Sequence, residues 1–545
     1  MKNKIKPLWF LTALVFWVNQ VNSQSKLVDR LDHYMTNASY FGFSGGLLVE
    51  KDGKLVLSKG YGFANKEYLV PFTDSTMIDI ASCTKPFTAT AILQLHDEGK
   101  LDVKDKITKY FDNVPKDKVN ITIGQLLSNS SGLGEYMFTE SNILRENHIS
   151  KVLQSPLEGN PNQWYYSNEG FNVLAAIVEI ASGMPYETYI KTHFIEPLKM
   201  THTGFFGDKK WPQKYIGHSY NRERDYGAFS NNPNKWSDKG SGNIASSIQD
   251  IYKFVKGSMQ NDFLKESTYQ KQFKKYVDLN SKWGYGYGWF LLKSERNTKV
   301  WRFGGNNTPA GITIEVRIFP EENALYILFC NQMIDDIGLV RPIRDEIEKM
   351  MFNPNYENQL TKMDMDLGNA GQLIQKISFK SKTKIEPYLN QYILYTENQD
   401  VVNAITQPDE ERKAVLKTLN DKTEELFDQL LNGKYADKEV QDYYWDTIKL
   451  KDYKVLCTVP LSEDNSGTFV RIWTPMGEFV FICVWEGKEL SYINDETNGL
   501  PSWRLVKDKT GFSGYDLILN KKFEIKITKD QMIVESANHQ DIFDL

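Results

Sequence analysis

Residues 80–89 read IASCTKPFTA, and the reading of the whole chain turns on them. Ser82-Cys83-Thr84-Lys85 sets a serine and a lysine three positions apart. On a helix, positions i and i+3 share a face, so the lysine amine can reach the serine hydroxyl. A serine needs that help, because its hydroxyl is a weak nucleophile at neutral pH. A lysine can serve as the base when burial or a neighbouring cation lowers its pKa. The same spacing recurs at Ser23–Lys26 and Ser381–Lys384. Only Ser82 opens an apolar helix, with Phe87, Ala91, Ile92 and Leu95 at helical spacing and Gly99 as its stop. Pro86 falls in the first turn, where its missing N–H is tolerated. The plainer reading, a helix-capping serine followed by a solvated lysine, stays open at this point.

Around this helix, strand and helix signals alternate. Gly45–Val49 and Leu55–Leu57 flank Lys51-Asp52-Gly53, a hairpin turn. Phe171–Ile180 is a second apolar helix that ends near Gly183 and Pro185. Thr313–Phe319 and Ala324–Cys330 are β-rich runs split by the turn Pro320-Glu321-Glu322-Asn323, and Asp335–Met351 has a helical period. Strands at both ends with helices between predict an α+β fold: one antiparallel sheet flanked by helices, spanning residues 24–351. Residues 352–443 are polar and predict a mostly helical linker region, clearest over Glu410–Leu431. Residues 444–545 are rich in short strands and predict a small antiparallel β domain.

The 545 residues suggest about three units by length. With 41% hydrophobic and 25% charged residues, the chain is neither disordered, collagen-like nor a multi-span membrane protein. Lys plus Arg is 65 against 70 for Asp plus Glu, and no basic block stands out, so no nucleic-acid partner is expected. Residues 1–23 have the layout of a signal peptide: Lys2, Lys4 and Lys6, an apolar run from Leu8 to Val18, then Ser23. The run is short for a span, so the expectation is a periplasmic or secreted protein with no stable membrane span after signal removal. Of four cysteines, Cys457 and Cys483 are the one pair worth weighing as a disulfide, with buried free thiols the favoured state. Seven histidines without paired ligand spacing, and no C-x-x-C, give no expectation of a metal. Gly284-Tyr285-Gly286-Tyr287-Gly288 has no phosphate-loop lysine and reads as a turn.

Two further stretches carry chemistry. In Tyr166-Ser167-Asn168, a phenol near cations can act as a base or proton relay, and the asparagine can bind substrate or orient the lysine. Read plainly, they are a packing residue and a cap at a helix start. In Arg302-Phe303-Gly304-Gly305, a cation followed by small residues on an edge strand can hold a carboxylate and admit close backbone approach. The plain reading there is a surface arginine before a turn.

Three such motifs in this order resemble the serine β-lactamase-related hydrolases, which include class C β-lactamases, DD-peptidases, D-aminopeptidases and some esterases. The resemblance covers roughly residues 30–350. It rests also on Leu126-Leu127-Ser128-Asn129-Ser130-Ser131-Gly132-Leu133, on Glu196-Pro197-Leu198-Lys199-Met200, and on Gly240-Ser241-Gly242-Asn243. It implies Ser82 as the acylated nucleophile, Lys85 as its proton partner, Tyr166 as the second acid/base and Asn168 as a ligand of substrate or Lys85. It implies an oxyanion hole from the N–H groups of Ser82 and Gly305, with Arg302 and Gly304 as substrate-binding neighbours, and no cofactor. The family normally has Lys or His, then Thr or Ser, then Gly at the third motif. Arg302 and Phe303 in those places point away from an efficient β-lactamase. The expectation is an exported serine hydrolase acting on an ester, amide or peptide bond, with cell-wall-derived D-amino-acid peptides among the candidates. The alternative is a non-catalytic binding protein for cell-wall fragments on the same fold.

Overall fold

Asp52 and Gly53 both have positive φ, 53° and 73°. Two successive left-handed residues make the tight turn that suits the twist of a hairpin. Gly45–Lys51 (β1) therefore folds straight back on Lys54–Tyr61 (β2). The structure is a computed structural model. It describes residues 26–362 and 410–544, apart from 67, 136–142, 209, 222–223, 308–309, 334–339, 443–448, 461–464, 475–476, 496–504, 508–511, 518–519, 528–530 and 537–538. The expected signal segment and residues 363–409 of the expected linker lie outside the described residues. Among the described residues, one compact unit holds 26–362 and a second holds most of those from 410 onward.

In the first unit, the short strand Ile78–Asp79 (β3) leads into a single 3-10 turn, Ala81–Thr84, and then into helix Lys85–Asp97 (α1). Ser82 thus lies in the turn before the α-helix, and the three-residue spacing to Lys85 still puts both on one side. Ten residues of α1 are buried, Lys85, Thr88 and Thr90 among them: the helix runs through the core. Phe87 stacks on Phe254 with ring centres 3.7 Å apart. Helix Asn168–Ser182 (α2) packs beside α1 and ends at Gly183, whose φ of 75° only glycine adopts cheaply. Strand Ile244–Ser246 (β4) pairs with β3, and helix Ile248–Met259 (α3) follows it.

Lys299–Asn307 (β5), Ile312–Phe319 (β6) and Ala324–Cys330 (β7) complete the sheet. It has eight antiparallel strands, with three short ones (277–278, 284–285 and 290–293) before β5, then β6, β7, β1 and β2. The N-terminal hairpin is therefore the far edge of a sheet whose other strands come from the end of the unit. All seven residues of β7 are buried, because helices cover both faces. On one face Ile314, Val316, Ile327 and Phe329 join the core with Ile251 and Phe254 of α3. Helix Val340–Phe352 (α4) covers the other, where its Glu348 accepts hydrogen bonds from Arg317 (2.8 Å) and Tyr326 (2.9 Å).

In the second unit, helix Glu410–Leu431 (α5) lays Leu419, Leu426, Phe427 and Leu430 on a four-stranded antiparallel sheet. Its strands are Asp452–Pro460 (β8), Asn465–Thr474 (β9), Gly477–Glu486 (β10) and Glu489–Asp495 (β11). A five-stranded antiparallel sheet follows between residues 505 and 544. Cys457 on β8 and Cys483 on β10 have β9 between them, since Cys457 pairs with Phe469 and Thr468 pairs with Cys483. Cys83, Cys330 and Cys483 are free and buried. Among the described residues no helix is long and apolar enough to cross a membrane.

Candidate active site

The Ser82 hydroxyl meets two groups. Lys85 Nζ donates to its Oγ at 2.9 Å, and Tyr166 Oη lies 2.7 Å away. Lys85 is buried and makes two more bonds, to Asn168 Oδ1 at 2.6 Å and to the Ser241 carbonyl at 3.2 Å. The three N–H groups of a charged lysine thus have three acceptors, which is what a buried ammonium requires. Its Nζ also lies 4.8 Å from the centre of the Tyr166 ring. Asn168 is held from both ends, because its Nδ2 donates to Glu135 Oε1 at 2.6 Å.

Each partner is positioned by its own local device. Ser167 caps α2, its hydroxyl accepting from Gly170 N–H at 2.8 Å. That frees the Asn168 side chain for Lys85, so the helix cap and the lysine ligand are neighbouring residues rather than one residue with two tasks. Tyr166 is held by the turn around Asn129, whose carbonyl accepts from Tyr165 N–H (2.8 Å) and whose side chain accepts from Ser167 N–H (3.2 Å). The Ser241 carbonyl is placed by its loop: Ser241 and Gly242 N–H bond to the Asp238 carbonyl, and Thr88 of α1 donates to the Gly240 carbonyl at 2.7 Å. The Cys83 thiol beside the serine is buried, and burial pushes its pKa well up, so it does not compete as a nucleophile.

The third motif is split between the two faces of β5. Phe303 packs on Trp289 within the core, with ring centres 4.8 Å apart. Gly305, two residues on and therefore on the same face, runs against the segment before Ser82. A Cβ there would lie 2.2 Å from the Ile80 carbonyl oxygen and 3.2 Å from Ala81 Cβ. Arg302 and Gly304 belong to the opposite face. The Arg302 guanidinium makes two bonds to Glu315, both 2.8 Å, and Arg317 makes a third at 2.7 Å. Burial pushes the Glu315 carboxyl up, but Arg302 and Arg317 outweigh it and hold the group below its ordinary value. The expectation that Arg302 holds a substrate carboxylate is corrected: strand alternation turns it away from Ser82 and into a buried ion pair. Ser82, Lys85, Tyr166 and Asn168 come together, and Gly305 approaches by its backbone.

Sequence reasoning passed over Glu135, Ala81 and Asp79. Ala81, directly before Ser82, has a φ of 44°, a conformation that costs a non-glycine residue of order 1–3 kcal/mol. Nothing in the residue type signals it. The Asp79 carboxylate accepts from Ala81 N–H at 2.6 Å and from Asn307 Nδ2 at 3.2 Å. Burial, with a smaller push from Asp238, raises the Asp79 carboxyl to about 7 against those two bonds. Among the described residues no group of three His, Cys, Asp or Glu side chains is placed to hold a metal ion.

A serine between a lysine and a phenol, in the turn that opens a buried helix and packs on a strand of an antiparallel sheet, is the arrangement of a serine hydrolase of the β-lactamase fold. Residues 29–344 match the Beta-lactamase family, and the chain belongs to it. The Bacillus subtilis strain 168 protein PbpX is 30% identical over 251 residues, 46% of this chain and 63% of PbpX. A penicillin binding protein from Bacillus halodurans superimposes with a TM-score of 0.51 at 22% identity, over 58% of this chain and 99% of that one. The D-amino acid amidase from Ochrobactrum anthropi SV3, solved with D-phenylalanine, does so with a TM-score of 0.52 at 20% identity, over 60% and 98%.

Proposed function

We propose that this chain is an exported serine hydrolase that works through an acyl-enzyme on Ser82. The observation that carries the reading is the pair of contacts on one oxygen: Ser82 Oγ has Lys85 Nζ at 2.9 Å and Tyr166 Oη at 2.7 Å. Ser82 Oγ attacks the substrate carbonyl carbon, and its proton passes into the Tyr166–Lys85 pair. The pair can accept it only with one of the two deprotonated. Both Lys85 Nζ and Tyr166 Oη touch Ser82 Oγ, so either is placed to take the proton. The same proton then goes to the leaving nitrogen or oxygen as the carbonyl–leaving-group bond breaks. Water repeats the sequence on the acyl ester, with the same pair taking its proton, and Ser82 is regenerated. Backbone N–H groups of Ser82 and of the β5 edge at Gly305 are suited to the oxyanion, because Gly305 lets that strand come this close.

The substrate class is an ester, amide or peptide bond, with D-amino-acid peptides derived from cell walls favoured. The fold shared with a penicillin binding protein and a D-amino acid amidase supports this choice. So does the signal-peptide layout of residues 1–23, which would deliver the protein to the periplasm or the exterior.

The test is intact mass after brief exposure to a penicillin, with the Ser82→Ala variant beside it. Turnover of p-nitrophenyl acetate and of D-phenylalanine amide is measured on the same samples. An adduct or a turnover that is lost in the variant supports the reading. A parent that forms no adduct and turns over neither substrate overturns it in favour of a non-catalytic binding protein.

A further inference from the structure

Asp79 touches neither Ser82 nor the three side chains around it, yet its carboxylate bonds both walls beside the nucleophile. Resting on the reading of Ser82 as the nucleophile, we propose that Asp79 is a positioning residue for acylation: it locks the Ala81 turn in its left-handed conformation and ties that turn to β5.

Four observations converge. Ala81 has a φ of 44°, and the bond from its N–H to Asp79 Oδ1 is short, 2.6 Å. A carboxylate acceptor makes that bond stronger than a neutral one would. The other oxygen accepts from Asn307 at 3.2 Å, two residues beyond the glycine that approaches Ile80. Asp79 is itself anchored, since it pairs with Ala245 of β4 and is only 5% exposed. Finally, a cavity of about 260 Å³ lies beside Asp79 and Asn307, bordered also by Ser219, Tyr226, Phe229 and Ile312. The Asp79 side chain and its Asn307 partner thus border open space, while Ala81 itself is buried against β5.

Without the carboxylate, Ala81 N–H loses its acceptor and the residue can relax to negative φ. Ser82 follows Ala81 directly, so relaxation rotates Oγ away from Lys85 and Tyr166. The substrate would still bind, because Asp79 makes no contact on the Ser82 side. The expected signature is a slower acylation step with little change in KM.

The experiment measures single-turnover acylation by p-nitrophenyl acetate in the full chain and in variants. Asp79→Ala is expected to slow acylation by about 10²-fold, the loss typical of a reacting atom misplaced by about 1 Å, with KM changed less than about threefold. Adding Ala81→Gly to Asp79→Ala is expected to recover about tenfold, because glycine adopts positive φ without steric strain. A residue that served only general stability would not be rescued at that position. Asp79→Asn, of the same shape, is expected to lose about tenfold when assayed above about pH 7, where the parent carboxyl is ionised, by weakening a charge-assisted bond. It also decides the matter if Asp79→Ala does not fold. Parental acylation in Asp79→Asn, or no recovery from Ala81→Gly in a folded Asp79→Ala protein, overturns the proposal. A parent that is not acylated at all overturns the Ser82 reading instead, so the two failures are separable.

Discussion

Tyr166 Oη and Ser82 Oγ lie 2.7 Å apart although 84 residues separate them in the chain. Lys85 Nζ lies on the same oxygen at 2.9 Å, while Asn168 bonds to Lys85 and Glu135. Tyr166→Phe removes the phenolic oxygen on Ser82 Oγ and leaves the ring. Acylation of Ser82 by p-nitrophenyl acetate should fall by about 10²–10⁴-fold, the usual range for losing a general acid–base group. Thermal stability should move little. An acylation rate within tenfold of the parent would remove Tyr166 from the mechanism.

Gly305 is a backbone requirement, not a preference. A Cβ at that position meets the Ile80 carbonyl at 2.2 Å, and neither wall is a flexible side chain. Gly305→Val must push β5 away from the turn that carries Ser82. The expected result is a loss of about 10²-fold in acylation rate with the sheet intact by circular dichroism. A fully active Gly305→Val protein would show that the strand need not lie so close.

Glu315 should matter to stability and not to KM. Glu315→Gln leaves Arg302 and Arg317 facing a neutral amide in a buried site. Breaking a buried pair in this way costs about 3–5 kcal/mol, readable from urea unfolding at pH 7. The pH dependence has a definite sign. The folded carboxyl sits below its ordinary value of 4.5, so the stabilisation is complete above that pH and is lost as pH falls through the folded value. The gap between parent and variant should therefore shrink under acid. A gap that stays constant from pH 7 to pH 3 would contradict this account.

Asp79 should show the opposite sign. Its folded carboxyl is raised to about 7 from an ordinary 3.8. Ionising it inside the fold is unfavourable, so its contribution is best below about pH 4 and is lost as pH rises to about 7. Asp79→Asn has no charge to bury. Its stability relative to the parent should improve across that window and level off above it, while its deficit in acylation rate should be largest above about pH 7, where the parent carboxyl is ionised. Parallel stability curves for the two proteins would refute the linkage.

Much of the site was legible because its parts are local. The spacing of Ser82 and Lys85 on one helical turn needs no tertiary knowledge, and neither does a helix opening at Asn168 and stopping at Gly183. The hairpin at Asp52-Gly53 is encoded in residues that accept positive φ. Arg302 was misread for a physical reason. On a strand, neighbours point to opposite faces, and a one-residue difference in register decides whether a cation faces the serine or the helix behind the sheet. Nothing near Arg302 in the chain tells which, because Glu315, its partner, comes from the next strand. Ala81 and Asp79 were missed because strain at an alanine is imposed by its surroundings and has no composition.

The sequence by itself determined the local chemistry: a serine and a lysine on one side of a turn, a phenol and an amide at a helix start, a glycine on a strand, and alternating elements that make an antiparallel sheet with helices. These follow from spacing and backbone preference over a few residues. Only the tertiary structure decided which of them meet. It set Tyr166 and Lys85 on one oxygen, turned Arg302 to Glu315 and hung the Ala81 turn from Asp79. Those choices depend on strand register and long-range packing, and each is fixed by partners tens to hundreds of residues away or by a backbone angle that the side chain does not encode.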